Sequence, residues 1–157
     1  MRSTCATVMG LLLAISGGGH ALAGAEEEAV KAVLPAYEAA WSCHDAHAVA
    51  GFYAEPAMRV ARGGPVVRPT RADQEAFFRA FLGALVSRGY GRSQCEHLDV
   101  RPLDGETAIA SGVSARYRSD GGLLERVAVT YGLRKTDEGW KIFLSATHAP
   151  ETVLRFR

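Results

Sequence analysis

The sequence has no apolar run long enough to cross a bilayer, no sustained block of one charge sign, and only three cysteines in 157 residues. Its strongest apolar stretch, Val8-Met9-Gly10-Leu11-Leu12-Leu13-Ala14-Ile15, falls far short of the roughly 20 residues that a spanning helix needs. Basic and acidic side chains number 18 and 17. That balance supplies no field for nucleic acid or an anionic membrane, both of which require a sustained basic patch. No internal repeat or low-complexity linker divides the chain, and with 48% hydrophobic residues this length suits one domain burying its own core.

What is present begins with the grammar of a secretion signal. Arg2 is the only charge before Glu26, the apolar stretch follows it, and small residues come next. Ala21-Leu22-Ala23 and Ala23-Gly24-Ala25 both fit the small-x-small cleavage rule. Residues 1–25 therefore read as a leader cut near 23 or 25, and residues 26–157 as a single soluble domain, secreted or periplasmic and off the membrane after cleavage. Cys5 precedes the apolar stretch, so the leader lacks a lipoprotein pattern. Losing Arg2 leaves seventeen basic against seventeen acidic side chains. Cys43 and Cys95 remain, and an oxidising compartment makes them a disulfide candidate, with two buried free thiols as the alternative.

Along the domain, Val30, Val33, Leu34, Tyr37 and Trp41 form one helical stripe behind Glu26-Glu27-Glu28, whose charges suit a helix N-terminus. Pro35 inside that helix forfeits one backbone bond. Asp45 reads as the N-cap of a short second helix carrying Val49, Phe52 and Tyr53 in register, with Pro56 near its end. Met58 to Ala61 suits a strand, and Gly63-Gly64-Pro65 a turn before Val66-Val67. Thr70 with Asp73 forms a capping box for a third helix, whose apolar face is Phe77, Phe78, Phe81, Leu82 and Leu85. From Gly91 the period becomes two, predicting strands near 92–102, 107–118, 123–135 and 140–148 with turns at Asp104-Gly105, Asp120-Gly121-Gly122 and Asp137-Glu138-Gly139. Helices followed by an antiparallel meander predict the α+β class, with the helices on one face of a curved sheet.

That element order, with Tyr37-Glu38-Ala39-Ala40-Trp41, His44 through Pro56, and Gly139-Trp140-Lys141-Ile142, resembles the nuclear-transport-factor-2-like superfamily, especially its small SnoaL-like branch. The resemblance implies a cone in which three N-terminal helices pack on a curved antiparallel sheet around an apolar pocket, and a homodimer formed through the sheet's outer face. It also implies cofactor-independent chemistry where there is catalysis. The superfamily's ketosteroid isomerase carries its base on the first strand after helix two, a position that falls near Ala61, where this chain has no acid.

Strand alternation aligns Glu96 with Leu98 and Val100, Glu125 with Val127, Val129, Tyr131 and Leu133, and His148 with Trp140, Ile142 and Leu144. In the second long strand Ile109, Val113 and Tyr117 mark the apolar face. An inward carboxylate or imidazole has its charged form disfavoured by desolvation, which suits acid and base work near neutral pH. His148, Glu125 and Glu96 are thus the expected catalytic set, and Tyr37, Trp41, Tyr117 and Tyr131 the expected ligand contacts. His44, Asp45 and His47 do not converge from i, i+1 and i+3 on a helix start, so no metal site is expected. The arginines at 59, 62, 68, 71, 88 and 92 read as solvated surface, with Arg59 or Arg62 suited to an anion if either stands at the pocket mouth. The leading expectation is an exported, dimeric domain binding a small apolar molecule. The alternatives are an isomerase, dehydratase or cyclase using His148 with Glu125 or Glu96, and an interaction module whose cavity its own side chains fill.

Overall fold

A computed structural model describes residues 18–156. The expected leader lies mostly outside the described residues. Helix α1 (Gly18–Ser42) buries Val30, Leu34, Tyr37, Ala40 and Trp41 along one side, the stripe its sequence spells, and it starts before residue 26. Asp45 caps α2 (Ala46–Gly51) by accepting a hydrogen bond from the Ala48 backbone at 2.9 Å. This helix ends sooner than its periodicity suggests, because Tyr53 opens strand β1 (Tyr53–Ala61). A turn whose Gly64 has φ of 90°, a conformation glycine adopts without steric cost, leads into β2 (Gly64–Arg68). Thr70 and Asp73 form the expected capping box on α3 (Arg71–Ser87).

The four expected strands follow as β3 (Tyr90–Pro102), β4 (Thr107–Arg118), β5 (Leu123–Thr136) and β6 (Gly139–His148). They form the meander, but within a larger six-stranded sheet ordered β2-β1-β6-β5-β4-β3, in which β1 runs parallel to β6. The fold is the α+β cone expected: α1 and α3 cover the concave face, and the core gathers Tyr37, Trp41, Phe78, Leu82, Leu133 and Ile142 between them and the sheet.

Two bulges change which residues face that core. In β3 the register slips between Cys95 and His97, so Glu96 is ejected while Cys95 pairs with the inward Ser114. In β6 the register slips between Leu133 and Gly132 of the partner strand, leaving Phe143 unpaired between Ile142 and Leu144. Its ring lies against Gly132, where a Cβ would come within 2.7 Å. Beyond this point Ser145 and Thr147 face inward, and Leu144, Ala146 and His148 face outward. Each extra residue inverts the two-residue alternation downstream.

The outer face is crossed by the C-terminal tail. Its Thr152 hydroxyl hydrogen-bonds His148 Nδ1 at 2.9 Å, the Leu154 backbone donates to Ser111 Oγ at 3.1 Å, and the Phe156 backbone donates to Asp99. Because those partners lie on β6, β4 and β3, the tail runs across the strands.

Candidate functional site

The site grows from Tyr37, which α1 delivers into the cone with only 5% of its surface exposed. Its ring meets Trp41, Phe52, Tyr53 and Tyr131 edge-on at centroid separations of 5.6–6.1 Å, and its hydroxyl shares a 2.8 Å hydrogen bond with that of Tyr53. Trp41 stands edge-on to Phe78 and Phe81 at 5.5 and 5.8 Å. Edge-to-face pairs each contribute about 0.5–1.5 kcal/mol beyond their buried area, so these rings form a stiff wall. Burial raises the pKa of the Tyr37, Tyr53 and Tyr131 phenols, which keeps them neutral hydrogen-bonding groups.

Two adjoining cavities open beside these rings. One, of about 50 Å³, lies between Trp41, Tyr53, Arg59, Phe77, Arg116 and Ser145. The other, of about 130 Å³, lies between α1 and β3, against Leu34, Pro35, Leu98 and Val129. Tyr37, Glu38, Ser114, Val129 and Tyr131 line both.

Glu38 is the carboxylate at this junction. It accepts a 2.8 Å hydrogen bond from Ser114 Oγ and another from the Cys95 backbone, yet desolvation outweighs both and raises its pKa. Strand alternation does not reach it, because it lies on a helix, but its position carries a signal: Glu38 stands four residues after Leu34 and three before Trp41, inside the apolar stripe of α1.

Glu125 also faces inward, but its chemistry differs. Burial pushes its pKa up, and hydrogen bonds from Arg88 and Arg116, each at 2.7 Å, outweigh that and hold the carboxylate below its ordinary value. It stays ionised and serves to fix Arg116, whose guanidinium lies 5.5 Å from the Trp41 ring. A carboxylate held that way is a poor proton acceptor.

The other expected residues lie elsewhere. The β3 bulge places Glu96 outside, where Arg126 grips both of its oxygens and lowers its pKa. The β6 bulge places His148 outside, between Thr130 Oγ1 at 2.9 Å and Thr152. His148, Glu125 and Glu96 therefore do not converge. Tyr117 is outward as well, with the Arg92 guanidinium 4.3 Å from its ring. Small residues Ala108, Ala110, Gly112 and Ser114 take the inner positions of β4, letting the backbone approach the helices. Of the expected ligand contacts, the structure brings Tyr37, Trp41 and Tyr131 to the cavity and leaves Tyr117 out.

The expected Cys43–Cys95 bridge is absent and both thiols are free. The Cys95 thiol donates to the His97 carbonyl within the bulge at 3.3 Å, and Cys43 lies at the end of α1 beside a separate surface groove with His47, Glu75 and Arg79. His44, Asp45 and His47 diverge toward the Gly91 carbonyl, the Ala48 backbone and Glu75 respectively.

The described chain superposes on an NTF2-like protein with a cystatin-like fold from Novosphingobium aromaticivorans with a TM-score of 0.71. That match is 21% identical and covers 90% of this chain and 97% of the other. A candidate dehydratase of the NTF2-like family from Streptomyces avermitilis matches at 17% identity and a TM-score of 0.61, over 79% of this chain and 95% of its own. An NTF2-like protein of unknown function from Pseudomonas putida matches at 16% and 0.66, over 81% and 88%. Identities this low establish the fold alone. No curated protein matches the sequence significantly. The family model for NTF2-like protein (DUF6841) matches residues 26–150, and the chain belongs to that family.

Proposed function

We propose that the protein is an exported binding domain that takes a small, largely apolar molecule into the cone, with Glu38 as the polar group that recognises it. One observation carries this reading: a carboxylate with a raised pKa stands at the junction of two cavities whose walls are mostly aromatic and aliphatic. Apolar surface supplies affinity in such a pocket, and one or two polar groups fix orientation. A ligand at a hundred times its Kd adds about 2.7 kcal/mol of stability, so a thermal-shift screen of small apolar compounds reads binding directly. A screen in which none raises the melting temperature, together with native mass spectrometry finding no carried molecule, would sink the reading.

The same carboxylate favours a second reading, in which the domain catalyses an isomerisation, dehydration or cyclisation without a cofactor. A carboxyl with an upward-shifted pKa exchanges protons closer to neutrality, and Glu38, rather than His148, would carry that transfer. Glu38→Gln should then abolish turnover while preserving the melting transition, and full activity in that variant rejects the assignment.

Export rests on residues 1–25. N-terminal sequencing of the mature protein should begin at Gly24 or Glu26, whereas a retained Met1 excludes cleavage. Homodimerisation through the sheet's outer face is supported by Phe143 and Leu154, exposed at 36% and 46%. Sedimentation showing only monomer at micromolar concentration would remove it.

A further inference from the structure

We infer that the ligand of the cone is a small organic acid whose carboxylate is bound by Arg59 and Arg68 beside the Ser145 hydroxyl. The inference rests on the binding reading above and names the chemical class of what binds.

Five arginines of the described chain, at positions 71, 79, 88, 116 and 126, each have a carboxylate partner within 3.1 Å. Arg59 and Arg68 have none among the described residues. Both belong to the inner face. Arg59 stands in register with the inward Ser145 of β6, and Arg68 pairs with the buried Ala57 of β1. Their guanidiniums converge on one ring, 5.3 and 3.7 Å from the centroid of Phe77. Arg59 spends a single side-chain hydrogen bond on the neutral Thr147 hydroxyl at 3.2 Å. Arg68 Nη1 is buried without any acceptor.

The third group is Ser145, which is 2% exposed and lines the cavity. Its hydroxyl lies near that of Tyr53 but forms no well-directed hydrogen bond. Buried donors are almost always satisfied in folded proteins, so a stacked guanidinium with an unmet donor and a serine hydroxyl without a well-directed partner, on one stretch of the inner face, mark a place where an acceptor belongs. Burial and the charge of Arg59 lower the pKa of Arg68, with Tyr53 and Asp73 acting in the opposite direction, and an anion between the two guanidiniums would offset their mutual repulsion.

A carboxylate suits the site better than a larger oxyanion. It is flat, it matches the planar fork of a guanidinium, and the cavity beside Arg59, about 50 Å³, has room for roughly four water molecules. The apolar body of the acid would extend past Tyr37 and Tyr131 into the adjoining 130 Å³. That volume fits one ring or a short chain.

Calorimetric titration of the full chain at pH 7 with benzoate, phenylacetate and hexanoate, each against its carboxamide, and with phenyl phosphate, tests the assignment. The acids should bind at least tenfold more tightly than their amides. Arg59→Gln should reduce that preference to threefold or less and leave amide binding within twofold, while Arg59→Lys retains part of it. Arg68→Gln removes a stacked, partly buried side chain and can cost folding, so Ser145→Ala asks the same question at almost constant volume, with a threefold to tenfold loss for acids alone. Equal binding of acids and amides overturns the carboxylate assignment and leaves the apolar pocket standing. A preference for phenyl phosphate overturns the choice of anion. No binding by any member of either series overturns the pocket itself.

Discussion

The two faces of the sheet treat polar side chains in opposite ways. On the outer face Ser111, Thr130, His148 and Thr152 form one continuous chain of hydrogen bonds, with separations of 2.9 Å between successive members, and the tail backbone closes it at Ser111. On the inner face Arg68 holds a donor that no protein atom satisfies, Ser145 has only the poorly directed Tyr53 hydroxyl nearby, and Glu38 keeps two hydrogen bonds that do not compensate its burial. Satisfied networks add rigidity and are complete in themselves. Unsatisfied groups in a hollow mark where a further molecule is needed, which is why the residue types most associated with catalysis, such as His148, point to the less informative face here.

The largest expected effect tests the inner wall. Trp41→Ala removes a ring that packs on Tyr37, Phe78 and Phe81, and should cost about 3–5 kcal/mol in urea unfolding; a loss below 1 kcal/mol would mean the wall is not a packed unit.

Next, Glu125→Gln leaves the inward Arg116 without its carboxylate and should cost about 2 kcal/mol at pH 7. The folded pKa of Glu125 is depressed, so its contribution is complete above the unfolded value of about 4.3 and disappears as pH falls through the folded value. The gap between wild type and variant should therefore close in acid, and a gap that widens there contradicts the ion pair.

On the outer face, His148→Ala removes two links of the polar chain, to Thr130 and to Thr152, and should cost about 1–2 kcal/mol, with ligand affinity within twofold of wild type. A tenfold change in affinity would place His148 back in the site and erase the contrast between the faces.

The smallest effect concerns Glu38, whose folded pKa is raised. A raised carboxyl stabilises the fold while it is protonated, and that benefit is lost as pH rises through the folded value. Thermal melts across pH should show Glu38→Gln gaining on wild type as pH rises from the unfolded value of about 4.3 through the folded one, and levelling off above it. Parallel curves at every pH would deny the desolvation.

Much of this was legible along the chain. The stripe of α1, the capping box at Thr70, the Asp45 cap and three glycine turns are local features, and each appears where its residues predict it. The inward assignment of Val127, Val129, Tyr131 and Leu133 also follows from alternation, because the one extra residue of β5 in its pairing with β4, Leu124, comes before that stretch. Alternation failed for Glu96 and His148 for one reason in each strand: a bulge shifted the phase, and nothing in the local composition announces a bulge. It failed for Tyr117 differently, since β4 presents its small residues to the helices and its large ones to the tail and solvent. Hydrophobicity alone would choose the reverse.

The sequence by itself determined the family, the element order and the aromatic wall, because these depend on short-range periodicity and on turns that only certain residues can make. The tertiary structure decided which carboxylate matters and where unpaired donors collect. Glu38, Arg59 and Ser145 line one cavity from three different elements, and Arg68 joins Arg59 over the Phe77 ring from a fourth; this arrangement depends on strand register and on the parallel placement of β1 beside β6, which are properties of long-range pairing rather than of any local segment.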